Sequence, residues 1–130
     1  MTGRPAWVID ASALLAFLNQ EPGAEAVEEH LDAAAVSAVN WCETYGKLRQ
    51  AGVGGDALVD GFAETGIEIW PFDAEDARLA GELAGLAREA GLSLADRACL
   101  ALAGRLGVPA VTADRAWLSL DIGVEVIAIR

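Results

Sequence analysis

Short unbroken apolar runs alternate along this chain with longer stretches in which apolar residues recur every three or four positions. Trp7, Val8 and Ile9 stop at Asp10, and SALLAFLN follows with helical spacing, so a buried strand feeding a helix is expected. Pro22 suits the first turn of a second helix through GAEAVEEHLDAA. The run AAVSAV then leads at Asn40 into a helix through NWCETYGKLRQAG, ended by Gly52. After Gly54 and Gly55, DALVDGFAET has helical spacing, and IEIWPF is the clearest β segment in the middle of the chain. Asp73 caps AEDARLAGELAGLAREAG, which stops at Gly91; Ser93 opens LADRACLALAGRLG, and the two make a helical hairpin. VPAVTAD reads as a strand entering a short helix from Arg115 to Leu120, and VEVIAIR as a closing strand. This alternation predicts an α/β fold of three layers around a mainly parallel sheet of about five strands.

Composition narrows the class. The 130 residues, 54% of them hydrophobic, suit one domain spanning 1–130 with a packed core. Nine Lys and Arg against twenty Asp and Glu give a net charge of −11, which repels nucleic acid at long range and attracts basic partners. A phosphate substrate therefore requires cations or a local basic patch. No stretch approaches the roughly 20 apolar residues of a membrane span, and the apolar run AWVI is too short for a signal peptide. Cys42 and Cys99 lie far apart without a metal-binding spacing, which points to buried free thiols in a cytoplasmic protein. His30, beside Glu28 and Glu29, is expected on a solvated helix face.

Four acids, Asp10, Glu43, Asp96 and Asp114, each stand where an apolar segment hands over to a helix. Each has an ordinary explanation: Ser93 with Asp96 fits a capping box, Asn40 with Glu43 is a close analogue, and Asp10 and Asp114 suit helix caps. The alternative is convergence. In an open parallel sheet every strand-to-helix turn lies at the carboxyl edge, where Asp10, Glu43 and Asp114 follow strands. Asp96 begins a helix running antiparallel to the Val108 to Thr112 strand that it feeds, which brings its amino end to the same edge. Clustered carboxylates repel unless a cation neutralises them, and oxygen-only ligands favour Mg²⁺ or Mn²⁺. Ser12 and Thr112, two residues from Asp10 and Asp114, are placed to orient carboxylates or bind water. Lys47, Arg97 and Arg115 are the candidates for substrate phosphates, with helix ion pairing the competing explanation. Asp121 reads as a turn residue before Gly123.

The stretches VIDASALLAFL, the N-x-x-E of Asn40 to Glu43, LSLADRACLALA and VTADRAW, in that order over essentially the whole chain, resemble the successive motifs of PIN-domain nucleases, especially the VapC toxins of toxin-antitoxin pairs. The resemblance implies a metal-dependent ribonuclease with an acidic pocket binding Mg²⁺ or Mn²⁺. Asp10, Glu43, Asp96 and Asp114 carry over as the metal-binding acids, and Ser12, Asn40 and Thr112 as supporting polar residues. It further implies an RNA substrate, a homodimer, and a cognate VapB-like antitoxin that inserts a segment into the site, with operator DNA reached only through the antitoxin. Apolar residues of the early helices that cannot all face one sheet, such as Leu14, Phe17 and Leu18, are the surplus from which a dimer or antitoxin surface is expected.

Rival readings fit less well. A phosphoacceptor receiver domain wants paired acids after its first strand and a lysine after its last, whereas the first strand here ends VIDAS and Lys47 is the sole lysine. A haloacid-dehalogenase-type phosphatase wants Asp-x-Asp, and Ser12 occupies the second position. A non-catalytic PIN-like scaffold that binds a partner is the alternative from a different class.

Overall fold

The computed structural model describes residues 4–130. Strands β1 (Trp7–Ile9), β2 (Ala34–Ser37), β3 (Glu68–Trp70), β4 (Ala110–Thr112) and β5 (Val126–Ala128) form one sheet in the order β3-β2-β1-β4-β5. Every pairing is parallel, with Val8 of β1 opposite both Ala35 of β2 and Ala110 of β4. The chain runs from β1 outward to β2 and β3, then crosses back to lay β4 and β5 on the other side. Strand order therefore reverses between β1 and β4, and at such a switch point the adjoining turns splay apart to leave a crevice.

Side chains alternate across the strands and build two cores. Ile9, Ala34, Val36 and Val111 face α1 (Ala11–Leu18), α2 (Ala24–Glu28) and Phe62 of α4 (Gly55–Thr65), whereas Val8 and Ala110 face the other way. That second face is covered by Cys99, Leu100, Leu102 and Ala103 of α7 (Leu94–Leu106) and by Trp117 of a 3-10 turn (Arg115–Ser119), giving the three expected layers. Helix α3 (Ala38–Gln50) packs on both α1 and α7, while α5 (Ala74–Glu82) and α6 (Ala84–Ala90) precede α7. Close packing also governs the first crossover, from β1 to β2. Gly23, at φ +97°, brings its α-carbon so near Ile129 that a methyl group built there would lie 2.9 Å from that side chain.

Several local expectations are corrected. Helix α2 is five residues long, because Glu29 and His30 turn out of it and Ala33 adopts a left-handed backbone to enter β2. His30 is half-buried rather than solvated, edge-on to the Trp7 ring with centroids 4.5 Å apart and Nδ1 2.7 Å from the Ala26 carbonyl. Helix α3 starts at Ala38, capped by Ser37 and not by Asn40. The segment from Ala74 to Ala90 breaks at Leu83, where Gly81 and Gly85 flank the joint and weaken a continuous helix. Cys42 is exposed and Cys99 buried. Leu14 is wholly buried, which leaves Phe17 and Leu18, with Leu15, as the half-buried apolar residues of α1.

The hairpin of α5 and α7 is fastened by charge. Asp76 is fully buried and its carboxylate is gripped by Nε and Nη2 of Arg105, which also lies over the Trp70 ring. Truncating Arg105 strands a buried carboxylate without a counter-charge, so Arg105→Ala is expected to cost about 3–5 kcal/mol. Urea denaturation at neutral pH measures this, and a loss below about 1 kcal/mol, the range of exposed pairs, would show that the pair does not hold the hairpin.

Candidate active site

The end of β1 and the end of β4 meet around one carboxylate. Asp10 leaves β1 in extended conformation and caps α1, its Oδ1 accepting from the Ala13 amide at 2.8 Å. The Ser12 hydroxyl sits 2.8 and 2.9 Å from its two oxygens, and the Thr112 hydroxyl donates to Oδ2 at 2.6 Å. These hydroxyls are held in turn, Ser12 Oγ accepting from the Ala113 amide at 2.9 Å and Thr112 Oγ1 from the Asp114 amide at 3.0 Å. Asp10 is only 3% exposed. Three protons thus serve four lone-pair sites on a buried carboxylate, and none of the donors is a cation.

The electrostatic result is a raised affinity for positive charge. Burial, the largest cause, pushes the Asp10 carboxyl up to about 6, against the lowering effect of Thr112, Ala13 and Ser12, and the charge of Asp96 adds to the rise. Cys99, fully buried, senses the same two acids; burial first and then the charges of Asp10 and Asp96 push its thiol well above the ordinary range. That thiol is therefore an inert wall of the site.

The remaining acids are placed less tightly. Asp96 is half-buried and closes a capping box with Ser93: its Oδ2 accepts from the Ser93 amide at 2.9 Å, and its own amide donates to Ser93 Oγ at 3.1 Å. Asp114 is exposed and caps the 3-10 turn through the Ala116 amide. Glu43, one turn inside α3, pairs with Lys47 at 3.3 Å and shares a shallow cleft with Ser93, Leu94 and Ala95. Asn40 is buried between α1 and α7, its Oδ1 accepting from the Ala11 amide and its Nδ2 donating to the Ala95 carbonyl. Among the described residues no three His, Cys, Asp or Glu side chains are gathered closely enough to hold a metal ion. The donor set nevertheless suits a hard cation, since it offers oxygen alone and a buried anion that feels the charge of a second one.

The candidate basic residues separate. Lys47 is exposed beside Glu43, and Arg115 is exposed with Nη1 3.4 Å from the Arg130 carbonyl. Arg97 turns away, donating to the Ala80 carbonyl of α5 with its Nε buried and unpartnered. One cation was missed in the sequence. Arg130 bonds the Pro22 carbonyl and Glu21, and shares a groove with Ser12 and Lys47. The available signal was its position just beyond β5 on the carboxyl edge.

The raised carboxyl of Asp10 fixes the sign of a pH effect. Because it holds its proton more tightly folded than unfolded, its contribution favours the fold below about pH 4 and is lost as pH rises towards 6, a change on the order of 3 kcal/mol. In metal-free buffer Asp10→Asn is expected to remove this decline, melting above the wild type at pH 7.5 and losing the advantage at pH 4. Thermal melts across that range check it; parallel wild-type and variant profiles would show that Asp10 ionises as freely as a surface acid.

Comparison with known proteins agrees with this fold. The PIN domain family model matches residues 7–122. No curated protein matches the sequence. Among solved structures, VapBC2 from Rickettsia felis bound to a promoter DNA fragment is similar at TM-score 0.75 and 15% identity, over 94% of this chain and 97% of that one. DNA-bound VapBC from Salmonella typhimurium is similar at TM-score 0.74 and 16% identity, over 97% and 99% of the two chains. VapBC-5 from Mycobacterium tuberculosis is similar at TM-score 0.57 and 26% identity, over 95% and 99%. With the family match spanning β1 through the 3-10 turn and on to Ile122, the chain belongs to the PIN domain family.

Proposed function

We propose that this chain is a divalent-metal-dependent endoribonuclease and the toxin of a toxin-antitoxin pair. PIN domains are generally nucleases, and the observation that carries the reading further is Asp10, a carboxylate buried at the switch point, bonded by neutral donors and within the electrostatic reach of Asp96. Such an anion is held in its place at a cost to the fold that a bound cation offsets. Asp10 and Asp96 are the primary holders of Mg²⁺ or Mn²⁺, with Glu43 and Asp114 at the rim. When bound, the cation supplies Lewis acidity that acidifies water and neutralises charge on a phosphodiester.

The chain's own groups do the rest. Ser12 and Thr112 lock the Asp10 rotamer, so its free lone pair keeps one direction. Lys47 and Arg115, exposed at the carboxyl edge, meet RNA phosphates, whereas Arg97 is committed to α5. The net charge of −11 keeps RNA away until a cation is present and suits a basic antitoxin segment. The similar DNA-bound VapBC structures and a similar toxin-antitoxin complex from Klebsiella pneumoniae support a VapB-like antitoxin, with operator DNA met through it; a homodimer belongs to the same reading. Among the described residues no helix is long and apolar enough to cross a membrane, which accords with action on cytoplasmic RNA.

The missing three-acid cluster favours a second reading, a PIN-like domain that binds a partner without catalysis. Two measurements separate them. Wild-type chain is expected to cleave RNA in Mg²⁺ or Mn²⁺ and stop in chelator, with Asp10→Asn and Asp96→Asn at least about 100-fold slower yet folded. Titration calorimetry is expected to show divalent binding that weakens from pH 7.5 to pH 5 as Asp10 takes up its proton. Cleavage that survives chelation, or calorimetry without heat of binding, would replace the nuclease by the partner-binding domain.

A further inference from the structure

Asn40 occupies an unusual position for a polar residue. It is 1% exposed, lies inside a helix rather than at its cap, and spends both ends of its amide on other helices. Oδ1 accepts from the Ala11 amide at 3.0 Å and Nδ2 donates to the Ala95 carbonyl at 3.1 Å. Those partners adjoin two of the acids, for Ala11 follows Asp10 and Ala95 precedes Asp96, and the charge of Asp96 reaches Asp10. Ser37 already caps α3, so the amide is not needed to start its own helix.

We infer that Asn40 is a positioning residue that sets the spacing of Asp10 and Asp96 for metal binding; this rests on the nuclease reading above. The chemistry selects the residue type. An amide N–H can only donate and a backbone carbonyl can only accept, so one side chain must accept at one end and donate at the other. Asp presents no donor to Ala95 and adds a third negative charge between two carboxylates. Leu, of similar size, satisfies neither group. Asn does both and does not titrate, so the bridge holds at every pH at which the acids change charge. The bond to Ala11 also occupies one of the first amides of α1, which a helix leaves without an internal partner.

A role in spacing and a role in bulk stability make different demands. If Asn40 spaces the acids, Asn40→Leu and Asn40→Asp lower Mn²⁺ affinity by about 10-fold or more and kcat for RNA by about 100-fold, leaving KM for RNA within about twofold. The Thr44→Val variant supplies the control, since Thr44 is buried on the same helix and bonds the Asn40 carbonyl without touching the site. It is expected to lower the melting temperature while leaving Mn²⁺ affinity and kcat unchanged.

The test measures Mn²⁺ binding by electron paramagnetic resonance and hydrogen exchange of the Ala11 amide by NMR in metal-free protein, alongside RNA cleavage well below each melting temperature. The expected result is weaker Mn²⁺ binding and faster Ala11 exchange in the Asn40 variants, with wild-type values for Thr44→Val. Should Asn40→Leu fail to fold, Asn40→Ser, whose single short hydroxyl cannot span both backbone partners, is expected to show the same losses. Any folded Asn40 variant that binds Mn²⁺ and cleaves RNA within twofold of an active wild type overturns the inference alone. A wild-type chain that neither binds Mn²⁺ nor cleaves RNA overturns the nuclease reading and this inference with it.

Discussion

A carboxylate taken out of water at the end of the central strand constrains everything packed around it. Among the described residues the groups bonded to Asp10 are neutral, so its burial depends on hydroxyls and an amide staying aimed at its oxygens. Ser12 and Thr112 must therefore sit within reach of each other, and β1 and β4 must pair in the one register that brings them there. The strand order follows the same demand. Only adjacent β1 and β4 allow residues 102 apart in sequence to share a proton, and the crossover through α5, α6 and α7 exists to make them adjacent.

Much of this was legible because it is local. Apolar runs ending at Asp10 and Asp114, and Gly91 and Ser93 between helices, are read from neighbours within a turn or two, and they locate five strands and most helices. The errors share a physical origin. Ser37 and Asn40 are both good cap formers three residues apart, and nothing within that window says that Asn40 has partners 29 and 55 residues away. Nor does spacing reveal that Arg97 is drawn back to Ala80, whereas the pairing of Glu43 with Lys47 four residues on is a local contact that spacing does offer. The acids were found as a set because caps and ligands use the same residue types; which of them is buried is a property of the assembled sheet.

That overlap is itself informative about the site. Asp10, Asp96 and Asp114 all satisfy backbone amides of the helix or turn they begin, so each is oriented by the local fold before any ligand arrives. Amide dipoles at those helix starts also offset part of the repulsion between acids. An acidic centre assembled from caps needs few extra residues to hold it, which accords with a sheet whose strands are three or four residues long.

The pairing of β1 with β4 has a consequence for synthesis. A chain emerging from the ribosome has Asp10 early and Thr112 late, and the central strand lacks one neighbour until residues 110–112 are free to dock. Contacts so distant in sequence form slowly, because a long loop must close before they are rewarded. The crevice at the switch point is consequently completed only when β4 docks, after the residues of α7 have been made. Until then a nascent chain carries Asp10 and Glu43 apart from the residues that complete the crevice, and their carboxylates stay in water.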